Sequence, residues 1–307
     1  MRVPHDPTDL FTVDPDVPEL DDVVLLYYFD GFIDAGAAGR LLATHLLATL
    51  EHREIARFDV DSLIDYRSRR PAMIFAKDHW EQYEAPSLTI SLLHDSQGTP
   101  FLLLNGPEPD HQWDAFTSAV RTVYAELGVR LAVGFHGIPM GIPHTRPPGV
   151  TAHATSAELV EGYRPFIDRL HVPGSAAGLL ELRLGEEGRA AIGFAVHVPH
   201  YLAQAAYPAA AVTLLEHVQQ ATGLALPADA LREAARRTDL EISRQVEGSE
   251  EVSEVVKALE QQYDAFAEGQ ANSLGGDPED MPTAEELGAQ FERFLAEQQG
   301  HGDTPEL

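Results

Sequence analysis

Hydrophobic positions along the chain alternate between unbroken apolar runs and one-sided helical stripes. Residues 23–29 (VVLLYYF) form such a run. It is too apolar for a half-exposed strand, which predicts a strand buried on both faces. After DGFIDAG, apolar residues (Leu41, Leu42, Leu46 and positions 48–50, with His45 among them) recur at helical spacing over 35–51. This predicts a helix with Asp34 placed to cap its first turn. Residues 54–60 read as a second strand, and the strand–helix–strand order implies a βαβ unit with a right-handed crossover.

Residues 86–104 read as a hairpin, in which LTISLLH and PFLLLN flank the turn signal DSQGT. Trp113, Phe116, Val120, Val123 and Leu127 recur at helical spacing, predicting a helix over 110–127. Residues 131–135 form a short buried strand that ends in HGIPMGIPHTRPPG, and 178–184 fit a strand or a short helix. A strand over 190–198 runs into VPHYL, followed by a helix over 207–222. The character then changes. Residues 227–246 and 249–268 carry two helical patterns, 269–282 have linker composition, and 284–298 predict a last short helix. The chain divides into an acidic N-terminal segment (1–22), an α/β core (23–226), a helical extension (227–268), and a linker with a short terminal helix (269–307). There is no internal repeat.

The formal charge of −28 lies mostly at the two ends. Residues 1–22 hold seven acids against Arg2, and 247–307 hold sixteen acids against Lys257 and Arg293. The acidic ends read as solvated segments or as a surface for a basic partner protein. Nucleic-acid binding is disfavoured, because phosphate contact needs a basic face. No apolar run approaches the roughly 20 residues of a membrane span, and the N-terminus lacks a signal-peptide pattern. With no cysteine, disulfides and thiol chemistry are excluded, and the cytoplasm is the expected compartment.

Ligands of open α/β sheets gather beyond the carboxyl ends of the strands, so the polar residues at the strand exits are the candidate ligand-binding set. Asp34 follows the first strand, as a helix cap or the border of an anion site. Asn105, Glu108, Asp110 and His111 follow the second hairpin strand, where they suit acid–base work or helix capping. His136, His144 and Arg146 follow the strand at 131–135, in a loop that serves either binding or an oligomer contact. His197 and His200 follow the last strand. His-x-x-His invites a metal reading, but positions i and i+3 of a strand face opposite sides, and no metal is assigned. Parallel strands leave a sheet from one edge, so these side chains are expected to converge on one cleft.

Five blocks carry a resemblance: DGFIDAGAAG (30–39), LLLNGPEPDHQWDAF (102–116), GFHGIPMGIPHTRP (134–147), VPGSAAGLLELRLGEEG (172–188) and HVPHYLAQAAYPAAAVTLLEHV (197–218). In this order they resemble the bacterial branch of the proteasome assembly chaperone 2 family, over about residues 20–265. The resemblance implies a three-layer α/β/α sandwich with a mixed sheet, similar to phosphorylases and hydrolases, plus C-terminal helices. It also implies homo-oligomers and a proteasome-related protein partner. The closing Pro-Glu-Leu at 305–307 departs from the hydrophobic–Tyr–X docking tail of shorter relatives. Some members carry the label of ATP-dependent carboxylate–amine ligase. Against it, Lys77 and Lys257 are the only lysines and there is no glycine-rich phosphate loop, so no cofactor is expected. Two functions stand: a non-catalytic assembly or scaffold protein acting through oligomerisation, and a phosphorylase- or hydrolase-like enzyme with a pocket at the strand ends.

Overall fold

The apolar run at 23–29 becomes β2 (Val23–Asp30), buried from Val23 through Phe29. A strand buries every side chain only when both faces of its sheet are covered. Val24, Leu26 and Tyr28 enter one hydrophobic layer, while Val23, Leu25, Tyr27 and Phe29 enter the other. The computed structural model describes residues 7–163 and 169–272.

Among these residues one sheet has eight strands. In spatial order they are β1 (Phe11–Val13), β3 (His52–Phe58), β6 (Thr89–His94), β7 (Pro100–Pro107), β2, β8 (Val129–Met140), β10 (Ala191–Pro199) and β9 (Val150–Ala154). The central four, β7, β2, β8 and β10, are parallel, and the flanking pairs are antiparallel. Helices α1 (Ala38–Thr49), α5 (Pro208–Thr222) and α6 (Asp229–Glu247) pack on one face. Helices α3 (Trp113–Glu126) and α4 (Ala176–Glu186) cover the other, joined by the one-turn α2 (Val60–Leu63). The result is the three-layer α/β/α sandwich with a mixed sheet. Helix α7 (Glu250–Asn272) follows α6.

Several boundaries differ from the sequence reading. The predicted βαβ unit is split, because β6 and β7 lie between β2 and β3. Strand β7 is buried from Phe101 to Leu104 and takes the central place, whereas β3 is half exposed and suits a position nearer the edge. The helix expected from 35 opens as a 3-10 turn (Ala35–Ala37) before α1, and the helix expected from 110 begins at Trp113. The strand expected at 131–135 continues to Met140, since β10 keeps pairing with it as far as Pro199. Residues 178–184 are helical, and the Ser175 hydroxyl caps α4 by accepting the Gly178 N–H at 3.0 Å.

Part of the acidic N-terminal segment belongs to the body, where Phe11–Val13 pairs with β3. Residues 269–272 continue α7, and the rest of the expected linker, the helix at 284–298 and the tail at 305–307 lie outside the described residues. No reading anticipated the isolated hairpin of β4 (Met73–Ala76) and β5 (His79–Tyr83). Among the described residues, no helix is long and apolar enough to cross a membrane.

Candidate functional site

β2, β7, β8 and β10 leave the sheet at one edge, as parallel neighbours must, but their polar side chains divide into three places. The first lies beneath α6 and α7. After β8 the chain turns back, and the His144 N–H donates to the Tyr201 hydroxyl oxygen at 2.8 Å. That hydroxyl also lies 2.8 Å from His144 Nδ1. His144 is buried, which lowers its pKa, while the charges of Asp239 and Glu260 act the other way. Tyr207 is buried and its phenol is pushed up, chiefly by burial and then by Asp239.

α7 clamps this loop. Arg146 makes a two-pronged pair with Asp264, Nε to Oδ1 at 2.8 Å and Nη2 to Oδ2 at 2.7 Å, a fork-to-fork geometry that fixes direction as well as distance. Glu260 accepts from the Thr145 hydroxyl at 2.5 Å, and the Tyr263 hydroxyl donates to the Pro147 carbonyl at 3.1 Å. Arg146 is therefore engaged by α7 and not by Glu108 or Asp110.

Asp34 borders this region as a tie between backbones. Its Oδ1 accepts Gly39 N–H at 2.8 Å and Gly137 N–H at 3.0 Å, and its Oδ2 accepts Arg40 N–H at 3.0 Å. It thus serves the first turn of α1 from beyond the 3-10 turn and pins α1 to β8. Burial raises its carboxyl pKa even against these three amides. The anion position at this helix start is filled by the chain's own carboxylate. Gly137 is required here, because any Cβ would collide with the Ala35 carbonyl.

The second place lies where β7 meets α4. Glu108 is buried and accepts the Ala176 N–H at 2.7 Å, capping α4, and burial raises its pKa. Asp110 does not cap α3. Its carboxylate accepts Asp65 N–H at 2.8 Å and pairs with Arg69 at 2.6 Å, tying the segment after α2 to the exit of β7. Beside this pair is a shallow cleft of about 330 Å³ lined by Asp30, Gly31, Arg69 and Pro107. Asn105 lies within β7, opposite Thr89 of β6, and His111 is exposed.

His136 and His197 occupy the third place, on the α4 face of the sheet. Strand alternation puts them there, opposite the apolar residues Phe135, Val196 and Val198 of the other layer. The His197 ring lies 2.9 Å from the Thr151 hydroxyl, Nε2 to Oγ1. Beside them His153 of β9 pairs with Glu181 of α4, Nδ1 to Oε1 at 2.8 Å. Burial lowers both His136 and His197 to about 4, with the His153 charge adding to the effect at His136. At His153 burial is outweighed by the hydrogen bond and charge of Glu181, and its pKa is raised.

His200 is exposed in a turn after Pro199, its ring edge-on to Tyr201. Among the described residues no group of three or more His, Asp or Glu is placed to hold a metal ion.

His144 and Arg146 thus gather beneath the C-terminal helices, while Asp34 ties the start of α1 to β8. Glu108 and Asp110 serve the α4 side, and His136 with His197 lies on the opposite face from His144. The sequence reading missed Tyr207, Asp239, His153 and Glu181. Tyr201 was legible with His197 and His200 at the exit of the last strand, but nothing local marks Asp239 or Glu181, whose neighbours are distant in sequence.

The model of the PAC2 family matches residues 28–246. The chain is similar to a Mycobacterium tuberculosis protein of unknown function, Rv2714, at 46% identity over 94% of this chain and 96% of that one, with a TM-score of 0.85. It is also similar to a Corynebacterium glutamicum protein of unknown function at 37% identity, covering 84% and 98%, with a TM-score of 0.81. The Mycobacterium tuberculosis proteasome-assembly chaperone homologue Rv2125 matches at 26% identity, covering 76% and 100%, with a TM-score of 0.70. No curated protein matches significantly.

Proposed function

The chain belongs to the PAC2 family, and from that premise we propose that it is a non-catalytic assembly protein of the cytoplasm that works as a homo-oligomer. The observation that carries this reading is the β4–β5 hairpin. It presents Met73, Ile74, Phe75, Trp80 and Tyr83 to solvent, with Phe75 55% and Trp80 62% exposed. An isolated two-stranded hairpin is marginal in water, and contiguous exposed apolar surface marks an interaction site. Five large side chains exposed by about half offer ~500 Å². Against a like area on a partner they would bury ~1,000 Å², the lower bound for a specific interface.

Charge favours a second copy of this chain as that partner. The acidic ends of two chains repel each other, whereas residues 67–84 hold four basic residues against three acidic ones. The hairpin is therefore where two copies meet with least repulsion. Resemblance to the proteasome-assembly chaperone homologue supports a proteasome-related partner for the assembled form.

Light scattering on Trp80→Ser and Phe75→Ser tests the reading. Both are solvent-exposed changes that leave the core untouched, so the expected result is dissociation to a folded monomer. A wild-type chain that is already monomeric, or a variant oligomer of unchanged mass, would sink it. Pull-down of cognate proteasome subunits by wild type and not by the monomeric variant is the matching test of the partner.

A further inference from the structure

Two neighbouring strands send the chain to opposite faces of the sheet. After β2 it crosses to α1 on one side, and after β7, the parallel neighbour of β2, it crosses to α3 on the other. A crevice opens where two connections part in this way, and open α/β sheets bind their ligands there, beyond the carboxyl ends of the strands. The cleft of about 330 Å³ lies at this point. Asp30 and Gly31 at the end of β2, Pro107 at the end of β7, and Arg69 line it. Its volume is at the small end of the roughly 300–1,000 Å³ of small-molecule sites.

The lining is held in place before any ligand arrives. A Cβ at position 31 would strike the buried Glu108 side chain, so Gly31 presents bare backbone. Arg69 is fixed from two directions, Nη1 donating to the Asp30 carbonyl at 3.1 Å and Nη2 to Asp110 Oδ1 at 2.6 Å. Asp110 is anchored in turn by the Asp65 N–H. Those bonds use only part of the guanidinium's fork of donors. Asp30 is exposed, and among the described residues its carboxylate accepts no hydrogen bond and joins no ion pair. Arg69 pairs with Asp110 alone. An acid and a base thus line one cleft without pairing with each other.

We propose that this cleft binds a free α-amino acid, with its ammonium on Asp30 and its carboxylate on Arg69. A simple anion would gain Arg69 but meet Asp30 and Asp110. A simple cation would gain Asp30 but meet Arg69. A zwitterion satisfies both groups with charge-assisted hydrogen bonds. Pro107 supplies the one apolar side chain of the lining, so the site reads the main-chain charges common to amino acids and leaves the side chain unselected. It does not depend on the hairpin or on the oligomer reading.

Backbone-amide NMR of the full chain, following Gly31 as glycine or alanine is added, tests the proposal. The expected result is a saturable shift at Gly31. Glycine methyl ester lacks the carboxylate charge and N-acetylglycine lacks the ammonium. Each should bind about tenfold or more weakly than glycine, as loss of one charge-assisted hydrogen bond implies. Asp30→Asn, an exposed change, should weaken glycine binding to the same degree, as should Arg69→Lys, which keeps a charge for Asp110 but loses the fork. No saturable shift with either amino acid would overturn the proposal, as would undiminished glycine binding in Asp30→Asn. Equal binding of N-acetylglycine would make the cleft a plain anion site, and equal binding of the methyl ester a plain cation site; either result also sinks it.

Discussion

Mild acid should unfold this protein through two histidines on the α4 face. His136 and His197 titrate at about 4 in the folded chain against 6.5 when unfolded, because burial disfavours the imidazolium. Between those values the unfolded state binds more protons than the native one, so stability rises with pH and falls as pH drops from 6.5 towards 4. Each pH unit is worth about 1.4 kcal/mol per histidine. At pH 5 that is about 2 kcal/mol each and about 4 kcal/mol together, a large part of the 5–15 kcal/mol that holds a typical domain.

Asp34 and Glu108 work in the opposite sense. Their raised values mean that the native state binds the extra proton just above the ordinary carboxylate range, and their contribution to stability falls as pH rises there. Urea unfolding of wild type, His136→Gln and His197→Gln at pH 7 and pH 5 separates the two, because the carboxyl contributions cancel in the difference. Each variant should lose about 2 kcal/mol less than wild type on going to pH 5. Parallel losses in wild type and both variants, or a folded-state NMR titration of His136 centred above pH 6, would refute the reasoning.

Asp34→Ala should cost about 3 kcal/mol in urea unfolding, combining a lost helix cap with a buried Gly137 N–H left unpaired; a cost below about 1 kcal/mol would mean that the tie is dispensable. Gly137→Ala forces a Cβ into the Ala35 carbonyl and should destabilise by about 1–3 kcal/mol or abolish folding, read from the same denaturation curve. Arg146→Ala, which releases the loop from Asp264 and Glu260, should speed hydrogen exchange in α7 while leaving β2 and β8 protected; unchanged exchange in α7 would show that the clamp holds nothing. Calorimetry should find no tight MgATP binding, since Lys77 is exposed at the hairpin turn and Lys257 is exposed on α7; micromolar affinity that vanishes in Lys77→Ala would revive the ligase label.

The unbroken runs at 23–29 and in PFLLLN are enough to demand central strands, because such runs cannot face water on either side. The helical stripe of 113–127 likewise announces a helix that packs on a sheet. The quoted blocks place the chain in its family, and with it the sandwich. These signals are local, carried by residues a turn or a pleat apart.

The site was legible only in its ingredients. Whether His136 faces α4 or α6 depends on β8 running on to Met140, which the pairing with β10 decides. Asp34 reads as a helix cap, yet one of its three amides belongs to Gly137, 103 positions away. Arg146 reads as a ligand group, and its acids wait on α7, as far as 118 positions on. Lone hydrogen bonds and ion pairs leave no periodic trace in the chain, because they depend on which surfaces the packed layers bring face to face. The sequence by itself therefore determines the elements, the family and the stock of polar groups, and tertiary packing alone decides which of those groups meet.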